Sequence, residues 1–416
     1  MKIQIKRVCV WLFAAVLLIT LGAYIHKAQF FPFGQHYLEK LKKIKKYGSL
    51  KKAEEARKAE EARKAPVNSS LHKLSVQRFS QLPQGHIEIL SQNKNQFEIL
   101  HLSNSTPTIP SLVKVSLLKL DLDSNSLEIK ELGVIEKSVS GNDIHISKKS
   151  NKIYVSYTSI DDKNCVSVKL AELNTLSKSQ FQIEPIYESS CSFAPYSIHQ
   201  SGGKIAEDNY GNLYLTVGDL GKEFLAVQKN NHFGSILILR KGNKKFSIFS
   251  KGHRNPQGLY WDSSLKQLIE TEHGPKGGDE INLIKQGENY GWPSFTYGLP
   301  YGDNTNEEIL INHGPVNYGA HDGATKPIYA FIPSIGIKAI IKIPTTSYEF
   351  PKWLGDYLVA SSIALFRMRL EDGRVIIAEP INELGGIRDI AISDSGIIFA
   401  SGYEFIVIRR IKRANW

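Results

Sequence analysis

The chain has 416 residues, of which 52 are Lys or Arg and 41 are Asp or Glu, giving a formal net charge of +11, with 42% apolar residues and three cysteines. This apolar fraction excludes wholesale disorder, and the length allows one large domain or two ordinary ones. So few cysteines exclude a disulfide scaffold or a cysteine-rich zinc module, while the basic balance leaves nucleic acid or an anionic membrane open as partners until the charge is located.

Residues 1–7 form a basic flank containing Lys2, Lys6 and Arg7, followed by an uncharged apolar run over residues 8–25. At about 1.5 Å of rise per residue, such a run crosses a bilayer core. It ends in Leu21-Gly22-Ala23-Tyr24-Ile25-His26 and lacks the small-residue spacing of a cleaved signal peptide, so a retained signal anchor is expected. Basic residues lie on both sides of the run, and charge alone does not orient it. The expected topology is a single-pass membrane protein with its C-terminal part on the periplasmic or extracytoplasmic side.

Residues 26–75 read as a charged helical stalk and linker. Ala-Glu-Glu-Ala-Arg-Lys repeats within it, placing Glu and Arg or Lys at i, i+3 and i+4, the pattern of a solvated helical spacer. Only Ala is available for coiled-coil core positions, which disfavours a zipper. Residues 1–65 carry 15 basic and 5 acidic residues, leaving 37 against 36 for residues 66–416. The positive balance therefore belongs to the tether, and the remainder has no general attraction for nucleic acid.

From residue 76 to residue 416 no long helical pattern occurs. A polar or glycine turn followed by a short β-type strand recurs at 150–156, 208–216, 264–271 and 394–401, and more loosely at 353–361. Units of roughly 57 residues, one lengthened by loops around residues 295–330, give about six units of four strands each. A closed ring of such sheets leaves no open edge, so the expectation is an all-β, six-bladed β-propeller over residues 76–416. Cys9 lies in the apolar run; Cys165 and Cys191 can bridge in an oxidising compartment or remain two thiols.

Chemistry in a propeller gathers where polar loops leave the strands at one end of the central channel. Two segments have that character. The first runs Pro195-Tyr196-Ser197-Ile198-His199-Gln200-Ser201-Gly202-Gly203-Lys204, in which paired glycines allow close backbone approach beside a candidate base, His199. The second contains Gly252-His253-Arg254-Asn255-Pro256-Gln257-Gly258, then Glu272-His273-Gly274-Pro275-Lys276-Gly277-Gly278-Asp279-Glu280-Ile281-Asn282, and closes on Asn289-Tyr290-Gly291-Trp292-Pro293. Asp279 and Glu280 with the Gly274 and Pro275 carbonyls offer hard oxygen donors suited to Ca²⁺; the alternative for the two acids is loop capping.

The order HQSGGK, GHRNPQG, EHGPKGGDEIN and NYGWP resembles the glucose/sorbosone dehydrogenase family, the soluble pyrroloquinoline-quinone (PQQ)-dependent aldose sugar dehydrogenases, which are six-bladed propellers. The likeness is specific over about residues 196–292 and weaker in the stretches IYAFIPSIGI, FPKWLGDYLVASS and GGIRDIAISDSG. It implies that His199 takes the proton from a sugar hydroxyl while hydride passes to the quinone, and that Arg254 stabilises charge on the quinone oxygen. Asn255 and Arg388 fall on cofactor contacts, Gly274 and Pro275 on the carbonyls holding the cofactor's Ca²⁺, and Asp279, Glu280 and Tyr290 on a second, structural calcium position. The implied substrate is a sugar or small alcohol, and the implied electron acceptor a membrane quinone or cytochrome. Departures are specific: the family's Gln-Gly-Gly-Leu-Leu segment is replaced near Ser138-Val139-Ser140-Gly141-Asn142-Asp143, its lysine is absent near Ser361-Ser362-Ile363, and Gly386 and Ile198 stand where an arginine and an acid are found. The alternative is a degenerate propeller that has lost PQQ and binds carbohydrate or protein.

Overall fold

The computed structural model describes residues 67–411 apart from residues 70, 81, 104–111, 178–179, 194–196 and 300–316. The anchor at 8–25 and most of the stalk lie outside the described residues; among those described, no helix is long and apolar enough to cross a membrane.

Six antiparallel sheets, each of four or five strands, follow one another along the chain. Their inner strands are Gly85–Asn93, Ser138–Ile146, Gly202–Glu207, Pro256–Asp262, Ile337–Lys342 and Ile387–Ile392, which open blades 1 to 6. Each neighbours the next, and the sixth returns to the first, so the sheets close into a six-bladed propeller. The closure is made by the N-terminal strand Lys73–Phe79, which pairs antiparallel with the last strand, Phe405–Arg410, from Leu74 opposite Arg410 to Phe79 opposite Phe405. Val67–Asn68 adds to its outer side. The propeller therefore starts earlier than residue 76: the end of the segment expected as linker is strand, with Leu74 fully buried.

All five turn-and-strand signals fall on one structural position, the second strand of blades 2 to 6: Ile153–Ile160, Leu213–Val217, Gln267–Glu272, Tyr357–Ser361 and Ile398–Gly402. The hairpin before each second strand needs a left-handed residue. Glycine often supplies it, but Lys94 in blade 1 and Lys266 in blade 4 adopt φ of 53°, which is why the blade 1 hairpin carries no glycine signal.

Strand alternation builds the core. Leu213, Leu215 and Val217 of blade 3 face blade 2, whereas Tyr214 between them faces blade 4. The same two-sided alternation gives six apolar clusters, one between each pair of adjacent blades, including Phe97 against Phe399 between blades 1 and 6 and Phe331 against Phe366 between blades 4 and 5. Cys165 and Cys191 form a disulfide with Cα atoms 5.4 Å apart, tying an inter-strand loop of blade 2 to the segment leading into blade 3.

The axis is polar. Lys204 Nζ of blade 3 donates to Asp143 of blade 2 at 2.9 Å and to Asp389 of blade 6 at 3.2 Å, all three being buried. Asp143 also accepts from Ile205 N, and Asp389 from Ile87 N of blade 1. One ammonium serves two carboxylates, so they differ: Asp389, which also faces His86, is held ionised, while burial pushes Asp143 up to about 6. His86 is lowered to about 3 by burial and by Lys204 and stays neutral.

Beyond this network, at the opposite end of the channel from the motif residues, lies a cavity of about 620 Å³ lined by Glu88, His145, Trp261 and Asp394 among others. Burial, with Asp143 and Asp389 nearby, pushes Glu88 up to about 8. The folded chain thus holds a proton on Glu88 that the unfolded chain has released, and stability should fall as pH rises from about 4.5 towards 8. Glu88→Gln is expected to flatten that decline in urea unfolding measured across the range; an unchanged pH profile would show that Glu88 ionises normally.

Candidate active site

The two motif segments meet at the other end of the channel. His199 sits on the single turn Ser197–Gln200 with its side chain exposed, just before the inner strand of blade 3. The turn is pinned through its backbone: Asn255 Nδ2 donates to His199 O at 3.0 Å, and Gly202 N donates to Asn255 Oδ1 at 3.3 Å. Leu220 N and Gly218 N donate to the Gln200 and Ser201 carbonyls. Gly203, at φ 96°, passes so close to Asn142 that a Cβ there would lie 2.4 Å from the Asn142 Cβ, which accounts for the paired glycines.

The segment 252–257 enters blade 4 beside this turn. Arg254 is buried; its N–H donates to Glu272 Oε2 at 2.6 Å, and its guanidinium donates to the carbonyls of Gly274 at 2.9 Å and His273 at 3.3 Å. The guanidinium carbon lies 5.4 Å from the Trp292 ring. Trp292 is itself fixed by donating from Nε1 to Asp219, whose carboxyl burial pushes up to about 7. Asp219 was not singled out by spacing, although the strand-end sequence Gly218-Asp219-Leu220-Gly221 marks a tight loop.

Asn255, expected as a cofactor contact, has its amide engaged by the protein. Besides its two bonds to the His199 turn, Oδ1 accepts from Gln257 Nε2 at 2.9 Å. Gln257 Oε1 in turn accepts from Arg388 Nη1 at 2.8 Å, and Arg388 Nε donates to His86 Nε2 at 3.3 Å. Lys204 Nζ lies 3.1 Å from His86 Nδ1, so donors face both ring nitrogens and the neutral imidazole accepts from one of them at a time. A continuous polar chain thus leads from the Lys204 network through His86, Arg388, Gln257 and Asn255 to the backbone of His199.

The oxygen donors expected to bind calcium do not form one set. Gly274 O carries the Arg254 guanidinium, and Pro275 O accepts from Ser334 at 3.4 Å. Asp279 and Glu280 are strand neighbours and point to opposite faces. Both oxygens of Asp279 are engaged, Oδ1 by Ser334 and Oδ2 by Ile335 N and Ile337 N, so Asp279 caps the entry to blade 5. Glu280 instead faces His321 Nε2 at 3.1 Å, a pairing that outweighs burial and raises the His321 imidazole above its ordinary range. The Tyr290 hydroxyl donates to Leu283 O and accepts from Lys285 N, while its ring stacks on His253. A small cavity lined by Arg254, Glu272, Gly274, Glu280, Tyr290 and His321 joins these groups.

Lys338, on the inner strand of blade 5, is a further cation at this end. Burial and Arg388 lower it to about 7, and His273, itself lowered to about 4 by burial, feels Lys338, Arg254 and Arg388 together. Its signal in the sequence is one lysine inside the apolar run Ile335-Gly336-Ile337-Lys338-Ala339-Ile340-Ile341.

Known proteins resemble this chain in part. A relative, the aldose sugar dehydrogenase YliI of Escherichia coli, is 32% identical over 113 residues, covering 24% of this chain and 30% of that protein. The quinoprotein glucose dehydrogenase B of Acinetobacter calcoaceticus is 27% identical over 256 residues, covering 53% and 50%. The chain thus spans half or less of the curated relatives it matches. Among solved structures, the soluble aldose sugar dehydrogenase of Escherichia coli in its apo form superposes with a TM-score of 0.66 at 19% identity, over 81% of this chain and 99% of that one. The PQQ-bound aldose sugar dehydrogenase of Streptomyces coelicolor gives 0.57 at 20%, over 83% and 99%. At such identities these structures support the fold alone. The family model described as Glucose / Sorbosone dehydrogenase matches residues 142–403, from the inner strand of blade 2 through blade 6, well beyond the segments whose motifs carry the resemblance. The chain belongs to the glucose/sorbosone dehydrogenase family.

Proposed function

We propose that this protein is a sugar oxidoreductase that removes hydride from an aldose or related alcohol, with PQQ as cofactor and His199 as the base. The observation that carries this reading is the exposed turn of His199, braced by Asn255 next to buried Arg254, on the two segments whose motifs carry the resemblance. An exposed imidazole is suited to accept a hydroxyl proton. Its backbone is fixed through Asn255, so only side-chain rotation is left to adjust when substrate arrives.

The residues fit a polycarboxylate at this mouth. Arg254, Lys338 and Arg388 bring positive charge there, and Lys338 Nζ meets no hydrogen-bond acceptor among the described residues, so an anionic group would relieve its burial. Arg388 would hold one carboxylate, and Lys338 another in place of a cation that the family carries elsewhere. Bound PQQ supplies the hydride acceptor. The Gly274 and Pro275 carbonyls would hold Ca²⁺ to polarise the quinone, the Gly274 oxygen being the one that now receives the Arg254 guanidinium.

In the same proposal, residues 8–25 anchor the chain and place the propeller outside the cytoplasm, with electrons leaving to a membrane quinone or cytochrome. The Cys165–Cys191 disulfide supports an oxidising compartment. One observation favours the alternative of a carbohydrate- or protein-binding propeller without cofactor: Gly274 O, Asn255 and Arg388 already have partners within the chain.

The full chain incubated with PQQ and Ca²⁺ is expected to bind the cofactor, seen as its absorbance after gel filtration, and to reduce a dye when an aldose is added. Absence of binding at tens of micromolar cofactor would leave the binding-module reading standing. His199→Ala should lower turnover about 10²- to 10⁴-fold with cofactor binding retained. Asn255→Ala should lower kcat about 10- to 100-fold through misplacement of the His199 turn, with little change in cofactor affinity; a loss confined to cofactor affinity would make Asn255 a direct contact instead.

A further inference from the structure

Under the Arg254 segment, the second and third strands of blade 4 pair so that Glu270 lies opposite Asn282 and Glu272 opposite Glu280. Glu270, Asn282 and His253 are completely buried, and Glu272 is 4% exposed. Asn282 Nδ2 donates to Glu270 Oε2 at 3.1 Å and to Glu272 Oε1 at 3.2 Å, which uses both amide hydrogens. Glu272 Oε2 receives the Arg254 N–H.

Two oxygens remain unanswered. Glu270 Oε1 and Asn282 Oδ1 have no hydrogen-bond partner among the described residues, although both side chains are wholly out of solvent. A buried carboxylate oxygen without a partner is costly, and no lysine or arginine side chain bonds to Glu270. The cluster instead has a nitrogen donor: ligand atoms of His253, Glu270 and Glu272 all lie within 4.8 Å of one another. His253 Nε2 is 2.9 Å from Ser250 Oγ, so an Nε2–H can donate there and leave Nδ1, on the Glu272 side, as a lone pair. An imidazole whose other nitrogen is anchored in this way is the usual arrangement of a metal ligand.

The donor set selects the ion. Ca²⁺ takes six to eight oxygens, more than this dry cluster offers. Two carboxylates, one imidazole and the amide oxygen of Asn282, turned over about its χ2 axis to face the carboxylates, make four donors of the kind that Zn²⁺ accepts tetrahedrally.

We propose that His253, Glu270, Glu272 and Asn282 form a buried four-coordinate site for a divalent cation of the zinc class. Its ligands are other than Asp279, Glu280 and Tyr290, although Glu280 and Tyr290 adjoin the cluster, and it does not depend on the chain's oxidising sugars. The ion would cross-link the two strands directly beneath His253, Arg254 and Asn255, bracing the segment that holds the His199 turn.

The test uses the untagged full chain, stripped with a chelator and titrated with Co²⁺, whose tetrahedral complexes absorb strongly in the visible. Wild type is expected to take up one Co²⁺ with those bands, to lose them on addition of Zn²⁺, and to unfold at higher temperature with Zn²⁺. Glu270→Gln, nearly the same shape, should reduce the bands at least tenfold while unfolding cooperatively without metal, and Glu280→Gln should leave them intact. Three results would overturn the site: no Co²⁺ bands in wild type, equal bands in Glu270→Gln, or loss through Glu280→Gln alone. Only the weak bands of an octahedral ion would overturn the four-donor geometry.

Discussion

The structure turns on an ammonium group held between two carboxylates in the middle of a channel. A six-bladed ring fills its wedges with apolar side chains, but its inner strands leave polar groups around the axis that solvent reaches poorly. Lys204 answers two of them, Asp143 and Asp389, and so ties blades 2, 3 and 6 across the axis. The value of such a triad is asymmetric. Replacing all its members with well-packed apolar groups can be neutral, whereas removing the lysine alone would leave two buried carboxylates repelling each other, at a cost of about 3 to 5 kcal/mol.

The consequence for the site follows from what the triad touches. His86 adds blade 1, Arg388 and Gln257 carry the connection to blade 4, and Asn255 ends it on the His199 carbonyl. The His199 turn is thus held by a side-chain network rooted at the axis. A rigid polar chain of this kind fixes a loop without a long helix to carry it, and it joins the two motif segments directly, because Asn255 of one holds the His199 carbonyl of the other.

Much of the fold was legible because one local requirement repeats. The turn that leads into each second strand carries a left-handed residue, and Asn151, Gly211, Gly355 and Gly396 announce it. Blade 1 was silent because Lys94 does the same work without a glycine, and the closing strand at 73–79 was silent because its partner is at the other end of the chain. Of the site, His199 and Arg254 were legible from motif order. The tasks of Asp279 and Asn255 were not, since a carboxylate that caps a backbone and one that binds an ion read alike in sequence, and an amide reveals its partners only in three dimensions. Lys338, Asp219 and His321 are joined to the site only by long-range packing. Cys165 and Cys191 had no spacing signature, and their pairing follows from the path of blade 2.

If the axis braces the mouth, loosening one should loosen the other. Amide hydrogen exchange of Lys204→Met against wild type tests this most directly. Exchange should accelerate across residues 197–204 and at 254–257, while the outer strands of blades 4 and 5 keep their wild-type protection. Unchanged exchange at the His199 turn in a folded Lys204→Met protein would contradict the account, because the turn would then be held by its local contacts alone.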